Sequence, residues 1–172
     1  MSDVITNHRT SEPKSDLERI AWPQVSDELI AIFRKNGDTQ RLTEGEVLFE
    51  VDSPSYPFIF VLEGSVCILD RGADEGAQVV VEVQAGNFVG ELGMLMGQGT
   101  FLAGVAGPGC RAIVVTQERL AELVANVPEV SDCVVPAFAA RRKLLIEWGE
   151  GALMVIGDEN DPACMGLLEF IT

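Results

Sequence analysis

A chain of 172 residues, 47% of them hydrophobic, is long enough to bury one core and too apolar to remain disordered. Its net charge of −15 repels phosphates, which argues against direct contact with nucleic acid or with an anionic membrane surface. No apolar run reaches the roughly 18 residues of a membrane span, and residues 1–15 carry no signal-peptide core, so a cytoplasmic protein is expected.

Catalytic and metal chemistry find little support. Cys67, Cys110, Cys133 and Cys164 are far apart and form no Cys-x-x-Cys pair, so four reduced thiols are expected, with no zinc site and no redox pair. His8 is the only histidine, which argues against a cupin-like metal enzyme. No convincing carboxylate pair stands in for it. This chain is expected not to be an enzyme.

In chain order, residues 1–22 read as a flexible arm. After Pro23 a short helix is predicted, capped by Ser26, with Asp27 and Glu28 in its first turn and Gly37 at its end. Leu29, Ile30 and Phe33 share one face of it. From Asp38 the texture becomes short β-runs between turns. These runs include 47–50, the apolar 58–62, a return over 65–70 after Glu63-Gly64, and 79–84 with its alternating valines. Residues 101–106 and 111–115 make a further pair around Gly107-Pro108-Gly109. Many short strands with regular turns predict a sandwich, barrel or jelly roll.

Helices follow. Thr116 caps the first, whose apolar face is Leu120, Leu123, Val124 and Val127. Pro128 opens a longer one reaching about Trp148, which Pro136 should kink or split. Arg141-Arg142-Lys143 reads as a solvated face near a helix C-terminus. Residues 149–172 read as a linker and one β–α unit, with Leu153-Met154-Val155-Ile156 as its strand and Asp161-Pro162 opening its helix. Cys164 falls in the first turn of that helix, where a packing role is expected. The unit is expected to start a second domain cut off at Thr172.

The most informative stretch is 86–97, which contains Gly90-Glu91-Leu92-Gly93. A strand ends there, glycines permit unusual backbone angles, and a short helix begins. Such a turn directs free N–H groups outward as an anion site, and its carboxylate can accept a hydrogen bond from a ligand hydroxyl. The bland alternative is a glycine-rich turn with Glu91 as a helix N-terminal carboxylate.

The order of these features resembles the cyclic-nucleotide-binding domain family over residues 23–148. Gly45-Glu46 begins the strands, Gly64 sits in a hairpin, and Gly90-Glu91-Leu92 comes after about five strands, with a strand pair and two helices to follow. The resemblance implies a mainly β fold with flanking helices, a β-roll of the double-stranded β-helix (jelly-roll) type. It implies that Glu91 holds a ribose 2′-hydroxyl, that the backbone around Gly90, Leu92 and Gly93 faces the cyclic phosphate, and that the last helix closes over the base. The implied ligand-binding set is Val89, Gly90, Glu91, Leu92, Gly93, Gly99, Thr100 and Phe101.

One departure changes the expected ligand. The family's Pro-Arg signature is replaced by Gly97-Gln98-Gly99-Thr100-Phe101-Leu102, so Thr100, or Gly99 with a one-residue slip, stands where the phosphate-pairing Arg belongs. Losing that charge-assisted bond costs about 1.5–3 kcal/mol, one to two decades of affinity. That argues against cAMP or cGMP, unless Arg71 or Arg111 substitutes.

The tail, with Leu153-Met154-Val155-Ile156-Gly157 after the Arg141-Arg142 helix, looks like bacterial fusions of this sensor to a thioredoxin-reductase-like flavoprotein. The resemblance implies FAD and NADPH in the region downstream, with no cofactor in this chain. The expected partner is a small molecule, a cyclic nucleotide or another nucleotide-like anion. Two alternatives stay open: a degenerate pocket serving homodimerisation through Val127, Val134, Phe138 and Leu145 of the long helix, and the sensor of a catabolite-activator-type transcription factor.

Overall fold

The computed structural model describes residues 5–6, 15–71 and 76–147. Trp148, the β–α unit predicted over 149–172, and Cys164 with it, lie outside the described residues.

Among the described residues, nine strands form two sheets that face each other as a β-roll flanked by helices, as the sequence predicts. One sheet has the order β1-β6-β5-β8-β3, from β1 (Ile5–Thr6), β6 (Gln78–Gln84), β5 (Ser65–Asp70), β8 (Ala103–Ala106) and β3 (Val47–Phe49). The other has the order β2-β9-β4-β7, from β2 (Asp38–Arg41), β9 (Arg111–Val115), β4 (Phe58–Glu63) and β7 (Phe88–Val89). Every pairing is antiparallel except β1 with β6.

Strand β4 shows why an unbroken apolar run is needed at the centre. It lies between β9 and β7 and is covered on both faces, so Phe58, Ile59, Phe60 and Val61 are all buried. Phe58 and Phe60 meet Phe33 of α2 (Asp27–Asn36), with ring centroids 4.9 and 5.9 Å apart. By alternation Ile59 and Val61 point the other way, into the roll. Each such side chain removed from water contributes about 1.5–3 kcal/mol. Helix α2 begins as predicted, with Ser26 Oγ accepting from the Leu29 N–H at 3.2 Å.

The alternation predicted for β6 breaks in the middle. Ile68 pairs with Val81 but Leu69 with Val79, so Val80 is a bulged extra residue and both Val80 and Val81 are buried.

The reading of residues 1–22 as an arm is corrected at its end. Asp16–Ala21 forms helix α1 because Ser15 and Glu18 make a reciprocal capping box. Ala21 and Trp22 pack against Ala140 and Leu144 of the long helix. Three residues carry the signature of this start: Ser15, Glu18 and, between them, the apolar Leu17.

Helix α3 (Leu92–Leu95) follows β7. Helix α4 (Gln117–Asn126) is capped by Thr116, which accepts from the Arg119 N–H. The chain then turns by 116° into α5 (Pro128–Glu147). That break falls at Val127. Pro136 does not split α5, which runs as one helix through it. The stripe proposed for homodimerisation is also corrected. Val134 and Phe138 are fully buried in this chain's own core, and Val127 and Leu145 pack against it, so the stripe is used up internally. Among the described residues no single helix is long and apolar enough to cross a membrane.

Candidate functional site: a pocket beneath the long helix

The turn singled out by the sequence sits at the edge of a cavity between the roll and the C-terminal half of α5. Gly90 has φ +155°, and a Cβ on it would lie 2.6 Å from Phe138 Cζ, so glycine is required for the loop to pass under α5. Gly93 has a different reason. A side chain there would occupy the place of the Glu91 carboxylate, which folds back over it.

Glu91 stands at the N-cap of α3 but does not cap it with its side chain. Its carboxylate turns to the pocket instead. The Tyr56 hydroxyl donates to Oε1 at 3.2 Å, and Arg142 Nη2 donates to Oε2 at 3.1 Å. With its side chain only 19% exposed, the ion pair is largely shielded from water on the carboxylate side. Burial and the Glu91 charge push the Tyr56 phenol well above its ordinary value, so it stays a neutral donor.

Of the predicted ligand-binding residues, Val89, Gly90, Glu91, Thr100 and Phe101 line the cavity, while Leu92, Gly93 and Gly99 do not. Leu92 and Gly93 begin α3 beneath the Glu91 side chain. Gly99 runs against the Ser53 carbonyl, where a Cβ would lie 2.7 Å from that oxygen. Thr100 is buried, and its hydroxyl closes its own turn by donating to the Leu102 carbonyl and accepting from the Leu102 N–H. It therefore presents no charge and no free donor. Arg71 and Arg111, the candidate substitutes, pair with Glu50 and Glu63 and do not reach the cavity.

The pocket's positive charge comes from a residue read as solvent-facing. Arg141 is 5% exposed and lines the cavity. Its Nε donates to the Ala21 carbonyl, Nη1 to the carbonyls of Phe88 and Gly90, and Nη2 to Asn87 Oδ1, all at 2.7–3.2 Å. The guanidinium lies 4.0 Å from the Trp22 ring centroid and 4.4 Å from that of Phe88. Among the described residues it has no carboxylate partner. Burial lowers its pKa to about 9, still above neutrality, so it is charged at pH 7. The reading of 141–143 as a solvated face thus holds for Lys143 and fails for Arg141, with Arg142 half-exposed outside the cavity lining. The signal was present in the spacing. Arg141 falls three residues after Phe138 and seven after Val134, on the apolar stripe of α5.

The walls are apolar: Phe49, Ile68, Val81, Val83, Leu102 and Leu144. The cavity holds about 70 Å³, under half the roughly 150 Å³ that accommodates benzene in a packed interior. Leu144 and Leu145, at the end of α5, are among the residues that line it. Burial raises the thiol pKa of Cys67, Cys110 and Cys133, and among the described residues no cluster of three metal-ligating side chains exists.

None of the curated proteins matches the chain. Solved structures do. A protein from a cyclic-GMP-dependent signalling pathway that regulates bacterial phytopathogenesis shares 22% identity over 74% of this chain and 97% of its own, with a TM-score of 0.52. The Thermus thermophilus catabolite activator protein shares 17% over 76% of this chain and 62% of its own, with a TM-score of 0.61. A cyclic nucleotide-binding domain from Methylobacillus flagellatus shares 20% over 78% and 77%, with a TM-score of 0.56. These likenesses establish the fold. The family model described as "Cyclic nucleotide-binding domain" matches residues 39–127, from β2 to the end of α4, and the chain therefore belongs to the cyclic nucleotide-binding domain family.

Proposed function

We propose that this chain is a regulatory sensor that binds a small anionic ligand beneath α5 and passes its occupancy to an attached module. The observation that carries this is Arg141, a buried cation with no carboxylate partner among the described residues, lining an apolar cavity and bonded at once to α1, β7 and the Gly90 turn. A ligand that alters the Gly90 turn pulls on α5 through these bonds. The sensor reads rather than catalyses, and its setting is cytoplasmic. The resemblance of residues 153–157 to fused thioredoxin-reductase-like flavoproteins supports a redox enzyme, carrying FAD and NADPH, as the attached module. The fold shared with the Thermus thermophilus catabolite activator protein fits a second reading, the sensor of a transcription regulator. The charge of −15 favours the first, because direct contact with nucleic acid is disfavoured.

The test is a thermal-shift screen of small anions and nucleotides, run on the chain and on Leu145→Trp, which fills the cavity from its rim. At least one anion at 100 times its Kd should stabilise the native chain by about 2.7 kcal/mol and leave the variant unmoved. A screen in which every compound acts equally on both proteins would overturn the reading.

A further inference from the structure

Resting on the sensor reading, we propose that the pocket is built for an apolar monoanion, an arylalkyl carboxylate, rather than for a cyclic nucleotide. Charge, polarity and size point the same way.

The ionic groups that line the pocket are Arg141 and Glu91, and Arg142, outside the lining, pairs with Glu91. Arg142 and Glu91 neutralise each other, which leaves one net positive charge within an acidic protein. The Nη2 amino group of Arg141 carries two hydrogens and donates, among the described residues, only to Asn87. It retains an N–H for a carboxylate oxygen.

Few other polar groups are available. The Tyr56 hydroxyl is spent on Glu91 and the Thr100 hydroxyl on Leu102, which leaves Glu91 with acceptor capacity only. A cyclic nucleotide would bring phosphate oxygens and base nitrogens into a cavity walled by Phe49, Ile68, Val81 and Val83. Each group left without a partner costs roughly one to two decades of affinity. An aryl ring costs nothing of the kind against these walls. A single ring also asks for less enlargement of a cavity of about 70 Å³ than a nucleotide does.

Isothermal calorimetry on the 172-residue chain tests this with four probes: 3-phenylpropanoate, its neutral isostere 3-phenylpropanamide, cAMP and cGMP. The acid should bind at least about tenfold more tightly than the amide, and the cyclic nucleotides should give no heat at millimolar concentration. Leu145→Trp should abolish binding of the acid. Arg142→Gln, at a half-exposed position, should leave Glu91 unneutralised beside the anion and so weaken the acid several-fold more than the amide. Equal affinity for acid and amide, or a cyclic nucleotide that displaces the acid, would overturn the ligand class while leaving a working pocket. If none of the four binds, the class is rejected, and the sensor reading is then decided separately by the broader screen.

Discussion

Replacing Arg141 by Met is expected to destabilise the chain by about 3 kcal/mol or more, although no carboxylate loses a partner. Met keeps the apolar stem and removes the guanidinium. Three backbone carbonyls, those of Ala21, Phe88 and Gly90, then lose their donor, and the first two lie in fully buried residues. Each buried acceptor left unpaired costs about 1–3 kcal/mol, and the stacking on Trp22 and Phe88 is lost as well. Relief of the buried charge offsets part of this, which keeps the figure near the lower end of the sum. In a chain of this size the melting temperature should fall by roughly 6–12 °C. Arg141→Lys keeps the charge but lacks the planar fork, so it should fall between the two. A Met variant within about 0.5 kcal/mol of the native chain would mean that Arg141 does not tie α5 to the roll.

Gly90→Ala is the second large effect, expected at about 2–4 kcal/mol. The added Cβ meets the ring of Phe138 at 2.6 Å, and the backbone is held at φ +155°. The ring has nowhere to go. Its centroid lies 5.9 Å from that of Phe88 and 6.4 Å from that of Phe58, and all three residues are fully buried. Shortening the obstacle should rescue the substitution. In a Phe138→Leu background, Gly90→Ala should cost at least about 1 kcal/mol less than in the native chain, read by denaturant unfolding of the four proteins of the cycle. Additive costs would place the penalty in the backbone angle alone.

Much of the roll was legible because its signals are local. The apolar run at 58–62, the Glu63-Gly64 turn and the Ser26 and Thr116 caps each specify one element through the groups they satisfy or bury. The Gly90-Glu91 turn was legible for the same reason. What escaped depended on which neighbours meet across the fold. Arg141 is charged, and three adjacent basic residues read as surface until its place on the apolar stripe is weighed against Phe138. Its acceptors are carbonyls of residues 120, 53 and 51 positions away, which no spacing rule reveals. The same holds for Tyr56, which reaches Glu91 across 35 residues. Pro136 escaped in the opposite sense. A local rule predicted a break, yet packing of Val134, Ala137 and Phe138 into the core holds α5 continuous around it.

In the proposed sensor, α5 reads the occupancy of the cavity. Hydrogen exchange of the chain, alone and saturated with the best-stabilising anion of the thermal-shift screen, tests it directly. Protection should rise at residues 88–95, which carry the Gly90 turn and α3, and together with them at 141–147, the last turns of α5, with little change in β2 or α2. Protection that changes only at the far side of the roll, around Asn36, Asp38 and Thr116, with 88–95 and 141–147 unmoved, would contradict it.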